Sequence, residues 1–177
     1  HKTMLHALEK ANDTVFGLAG RQPEFRGMGT TLVGAFVQGR EASILNVGDS
    51  RAYLFDGETL RQVSEDHSYV EEMRRLGRIS AEDARTHPQK NLITRAVGVD
   101  ATVDGDLFEV ELRDTDILLL CSDGLTGMVE DEKIAEVLAK AGTLEDKGRE
   151  LLTLALEGGG RDNITVALFT RGAKQEA

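Results

Sequence analysis
TLVGAFVQGREASILNVGDSRAYLFDGETLRQV, residues 31–63, alternates apolar and polar positions in short runs broken by turn residues. Thr31 to Val37 and Ala42 to Val47 read as two strands joined by a turn at Gln38 to Arg40. Arg51 to Phe55 and Thr59 to Val63 read as a second pair, with Asp56-Gly57 as the hairpin signal between them. Consecutive hairpins make antiparallel sheet, because parallel strands need long crossovers.

On the N-terminal side, Met4, Leu8, Ala11, Val15 and Leu18 recur at three- and four-residue steps, predicting a helix over residues 2–19. It should stop near Gly20, since Pro23 bars continuation. On the C-terminal side, residues 64–90 interrupt the β rhythm with two short helical stretches, 68–76 and 80–85. Ser80 and Asp83 have capping-box spacing. Strands return over 103–112 and 117–121, helices follow over 130–140 and 145–157, and Asn163 to Thr170 is the last strand. A polar tail is expected from Arg171 onward. Blocks of strands and helices, rather than strict alternation, predict an α+β domain over residues 1–170.

Composition narrows the function. With 177 residues, 40% of them hydrophobic and 29% charged, the chain can bury one ordinary globular core. The net charge of −10 argues against a nucleic-acid partner. Apolar runs such as Ile117 to Cys121 are too short to cross a membrane, and no signal peptide is visible. A lone cysteine fits a reducing, cytoplasmic setting. Because the chain opens on His1 rather than Met, it is expected to be a processed or truncated product.

Three aspartates stand beside glycines at the ends of apolar strands: Asp49 after Gly48, Asp123 before Gly124, and Asp162 after Gly160-Arg161. Carboxylates converging at a sheet edge would suit Mg²⁺ or Mn²⁺, which take oxygen ligands. Taken one at a time, each is more simply a turn residue, as Asp56-Gly57 and Asp104-Gly105 are read to be, and the long separations in sequence do not decide between the readings. Other chemistries have less support. The position six residues past Cys121 is Gly127, not the arginine a cysteine phosphatase needs, so Cys121 reads as a buried strand residue. There is no phosphate-loop Gly-Lys-Ser/Thr, and His1, His6, His67 and His87 lack zinc spacing.

Read in order, Gly27-Met28-Gly29-Thr30-Thr31-Leu32, Asn46 to Leu54, Cys121-Ser122-Asp123-Gly124-Leu125 and Gly160-Arg161-Asp162-Asn163-Ile164-Thr165-Val166 resemble successive motifs of bacterial PPM-type phosphatases, the protein phosphatase 2C family. Ser64 to Gly98, with Asp66-His67-Ser68, His87-Pro88 and Leu92 to Ala96, resembles that family's flap, placing an insertion over about residues 64–95. The resemblance implies a four-layer α-β-β-α sandwich of two antiparallel sheets flanked by helices. It implies a protein serine/threonine phosphatase that hydrolyses phosphoserine and phosphothreonine with a metal-activated water, opposed by a Ser/Thr kinase. Two Mn²⁺ or Mg²⁺ ions are implied, with Asp123 and Asp162 as ligands and Asp49 at a weaker third site. Gly127 stands where some relatives carry a further third-site aspartate. Family members also begin with a segment bearing a phosphate-binding arginine and a metal-bridging aspartate. No such motif occurs in these 177 residues, so the N-terminal segment is expected to be missing and the chain alone impaired. The rival readings are a catalytically inactive phosphatase-like regulatory or binding module, and a β-rich scaffold whose aspartates only form turns.

Overall fold
In a computed structural model the chain is α+β, and residues 1–172 are described. Of the expected polar tail, residues 173–177 lie outside that range. The strands form two sheets. β1 (Leu32–Gln38), β2 (Glu41–Val47) and β5 (Asp106–Glu111) make the first, in the order β1-β2-β5. β3 (Arg51–Phe55), β4 (Leu60–Gln62), β6 (Ile117–Cys121) and β7 (Val166–Phe169) make the second, antiparallel throughout, in the order β4-β3-β6-β7.

Packing divides the chain into two compact units. The first comprises residues 1–34, 45–50 and 65–107. Its long helix, α1 (Lys2–Arg21), runs to Arg21, two residues past the expected stop, and Gln22 leaves it with extended backbone just before Pro23. One stripe of α1 buries Leu8 against Leu45, Val47 and Val97, with Met4, Ala11 and Val15 alongside. Asn12, on the same helix, is buried but fully used. Its Nδ2 donates to the carbonyls of Asp100 and Ala101, and its Oδ1 accepts from the Gly98 N–H at 2.7 Å. Asp104-Gly105 is not the expected turn. A Cβ on Gly105 would lie 2.6 Å from both Leu8 and Leu45, so this glycine serves close packing of the chain on α1. The inserted segment carries α2 (Tyr69–Arg75) and α3 (Ala81–Thr86), and Ser80 and Asp83 form the expected capping box.

Among the described residues, the second unit comprises 35–44, 51–64 and 108–172. The β3–β4 hairpin turns at Asp56, whose carboxylate accepts from the N–H groups of Glu58 and Thr59. After β6 come a short helix not expected from the sequence, α4 (Asp123–Thr126), then α5 (Asp131–Ala139) and α6 (Leu144–Glu157). Alternate residues of the sheet, Tyr53, Phe55, Ile117, Leu119 and Cys121, form one core with Ile134, Val137 and Leu138 of α5 and Leu151 and Ala155 of α6. Cys121 is the buried strand residue the sequence implied. The alternating partners on β6 and β7, Leu118, Leu120, Ala167 and Phe169, face Ala35 and Val37 of β1 across an apolar cleft of about 320 Å³. Burial on both faces explains why residues 117–121 read as a continuous apolar run.

Candidate active site
Asp123 is the first residue of α4, directly after β6, and Ser122 is the helix N-cap position. Ser122 joins the end of β6 to the approach to β7. Its N–H donates to the Thr165 carbonyl, its hydroxyl donates to the Asn163 carbonyl at 3.1 Å, and the same hydroxyl accepts from the Thr165 N–H at 2.9 Å. Gly124 then lets the two segments touch. A Cβ there would sit 2.3 Å from the Asn163 carbonyl oxygen, so only glycine admits this approach. The consequence is that Asp123 and Asp162, separated in sequence by α5 and α6, become electrostatic neighbours.

Partial burial raises the Asp123 carboxyl above its ordinary value, and the negative charge of Asp162 raises it further. The Gly124 N–H and the Arg51 guanidinium act in the opposite direction. Two mutually repelling carboxylates with all-oxygen donors fit a hard divalent cation. Among the described residues no three His, Cys, Asp or Glu side chains group as a metal cluster.

Arg51 carries a further contact that the sequence reading did not assign. Its Nη1 donates to the Tyr53 hydroxyl at 3.0 Å, and that hydroxyl donates to Asp131 Oδ1 at 3.1 Å. Tyr53 is completely buried, and burial pushes its hydroxyl up, keeping it a donor. The available signal was the i, i+2 spacing of Arg51 and Tyr53, which places both on one face of β3.

Asp49 belongs to the first unit. It follows Gly48, whose φ is +100°, and a Cβ on Gly48 would meet Thr31 Cγ2 at 2.4 Å. The Thr31 and Ser50 hydroxyls hydrogen-bond at 2.8 Å, bracing the turn from its other side. In the same unit the inserted segment closes on itself at its base. Ser68 bridges Ile93, and the Tyr69 N–H donates to the Leu92 carbonyl.

The family model of protein phosphatase 2C matches residues 2–156. The chain belongs to the protein phosphatase 2C family, among serine/threonine phosphatases that are typically metal-dependent hydrolases of phosphoproteins. It is 45% identical over 169 residues to the serine/threonine phosphatase stp of Listeria welshimeri, covering 96% of this chain and 67% of that protein. Among solved structures it is similar to the serine/threonine phosphatase Stp1 of Staphylococcus aureus, with a TM-score of 0.92 and 41% identity, over 96% of this chain and 66% of that one. It is also similar to the catalytic domain of the phosphatase PstP in complex with two manganese ions, with a TM-score of 0.84 and 35% identity, over 93% of this chain and 68% of that one. The chain thus spans about two thirds of the length of these relatives. The expected two antiparallel sheets flanked by helices are those of this family.

Proposed function
We propose that this protein removes phosphate from phosphoserine and phosphothreonine in proteins, with Asp123 and Asp162 holding a divalent cation, Mn²⁺ or Mg²⁺, and Asp49 serving a weaker ion. The observation that carries the reading is the convergence of Asp123 and Asp162 at the Gly124–Asn163 contact. The PstP relative, solved with two manganese ions, supports a two-ion site. Bound there, such ions supply an activated water and neutralise phosphoryl charge. The chain's own groups do the rest of the positioning. Gly124 N–H and Arg51 favour the ionised form of Asp123, and the Tyr53–Asp131 pair holds Arg51 on its strand face.

We read residues 1–170 as one phosphatase domain in which residues 64–95 form a flap that shapes substrate choice. An opposing Ser/Thr kinase and a cytoplasmic setting complete the proposal. No helix among the described residues is long and apolar enough to cross a membrane. The −10 net charge favours cationic ions over nucleic acid.

The test is Mn²⁺ titration of the full-length protein by calorimetry, alongside phosphopeptide hydrolysis. Asp123→Asn is expected to abolish the tightest heat of binding and the hydrolysis together. Activity within about threefold of the unmutated protein, a loss of only ~0.6 kcal/mol in transition-state stabilisation, would sink the assignment.

A further inference from the structure
His67 is the one described histidine that is buried, and every polar edge of it is engaged. Its backbone N–H donates to the Gly48 carbonyl at 2.9 Å, while the Gly48 N–H donates to its ring Nδ1 at 3.0 Å. Two reciprocal bonds therefore tie one residue to the turn that presents Asp49. Its carbonyl accepts from the Thr94 N–H at 2.8 Å, so the same residue also joins the two ends of the inserted segment. Asn46 Nδ2 adds a parallel tie, donating to the carbonyls of both Gly48 and Glu65.

The ring's protonation pattern follows from its partners. An Nδ1 that accepts a backbone N–H carries no proton, so in the neutral ring the proton sits on Nε2 and is donated to Asp106 Oδ2 at 3.1 Å. Arg95 Nη1 also lies 3.1 Å from Nε2, but its hydrogens have other acceptors. Its Nη1 has two N–H groups, and these are taken by Asp106 Oδ1 at 2.8 Å and the Asp104 carbonyl at 3.1 Å. With both hydrogens so placed, the Nη1–Nε2 approach is not a donation to the ring, and Nε2 keeps its proton for Asp106 Oδ2.

We infer that His67, held as the Nε2–H tautomer, is a positioning residue that couples the base of the inserted segment to the Gly48–Asp49 turn and so aims the Asp49 carboxylate. The inference rests on the proposed role of Asp49 as a cation ligand. Outer contacts that orient a metal ligand are typically worth roughly tenfold to a hundredfold in affinity. The side-chain geometry supplies a discriminating pair of variants. His67→Asn places an amide oxygen where Nδ1 was and keeps an acceptor for Gly48, whereas His67→Gln keeps a donor for Asp106 and loses that acceptor.

The experiment uses the full-length protein, with Mn²⁺ binding by calorimetry and melting temperature as the check on folding. His67→Gln should weaken the weakest Mn²⁺ site by about tenfold or more, while His67→Asn stays within about threefold. Asp49→Asn, run in parallel, separates the two premises. If Asp49→Asn leaves the isotherm unmoved, the ligand role and the inference fall together. If Asp49→Asn weakens binding but the two His67 variants behave alike, the inference alone fails. A second readout needs no variant: a long-range ¹H–¹⁵N spectrum of the metal-free protein should show His67 with an unprotonated Nδ1. An Nδ1–H tautomer would overturn the inference even if the variants did not fold.

Discussion

At the scale of single residues, the acidic side chains divide by what surrounds them. Asp123 is raised by burial and by the like charge of Asp162, an effect that a cation bound between them would reverse. Asp106 shows the reverse. Partial burial alone would raise it, but hydrogen bonds from His67 and Arg95 outweigh that effect and hold it below its ordinary value of 3.8. A depressed carboxyl stabilises the fold above its unfolded value, and that contribution is lost as pH falls through the folded one. Wild type should therefore melt above Asp106→Asn at pH 7, and the gap should close once the pH drops well below 3.8. The side chain is 41% exposed, so screening keeps the effect to about 1 kcal/mol or less. A gap that persists unchanged down to about pH 2 would show that Asp106 acts through packing instead.

At the scale of elements, the junction of β6, α4 and the approach to β7 is the most constrained part of the second unit. Gly124→Ala forces a methyl group onto the Asn163 carbonyl, and because that neighbour is backbone it cannot swing aside. We expect a loss of roughly 1–3 kcal/mol by thermal or urea denaturation, the usual range for overpacking. Activity should fall by more than the unfolded fraction explains, since Asp162 is displaced from Asp123. Wild-type activity in a folded Gly124→Ala protein would dissociate the glycine from the site. The inserted segment makes a different prediction. It is held at its base by the Ser68–Ile93 bridge, and it exposes Leu76 and Leu92. Replacing residues 68–85 by a short linker should shift preference among phosphopeptides while sparing hydrolysis of a small aryl phosphate. Equal losses on both substrates would mean that the segment supports the fold rather than selects substrate.

At the scale of the molecule, the cleft lined by Leu118, Leu120, Ala167 and Phe169 is the largest question of packing. An apolar space of about 320 Å³ is expensive to leave against water. The two sheets also end in edge strands, β1 and β5 in one, β4 and β7 in the other, which can pair with foreign chains. Residues 1–177 expressed by themselves are therefore expected to bind a hydrophobic dye strongly and to self-associate. Light scattering that reports a monodisperse monomer with no dye uptake would show that the cleft is closed in solution.

Some of this was present in the amino-acid order alone. Hairpins, helix stripes and capping boxes depend on neighbours a few residues away, so their signals lie within the window a sequence reading can use. Thus the Asp56 turn, the Ser80–Asp83 capping box and the buried β6 run emerged as read, whereas the short helix α4 was not foreseen, Asp104-Gly105 proved to be no turn, and element ends moved by a few residues. The ordered motifs from Gly27-Met28-Gly29 to Gly160-Arg161-Asp162-Asn163 also pointed to the family. What the order could not supply was convergence. Whether Asp123 meets Asp162 depends on one absent Cβ at Gly124 against a carbonyl beyond two intervening helices, and no local pattern encodes that distance. The same holds for the Arg51–Tyr53–Asp131 chain and for the burial of His67, which looked like one polar residue among many in a polar insertion. Local backbone preference settles what each segment is, but only the packed chain settles which charges must share one low-dielectric place.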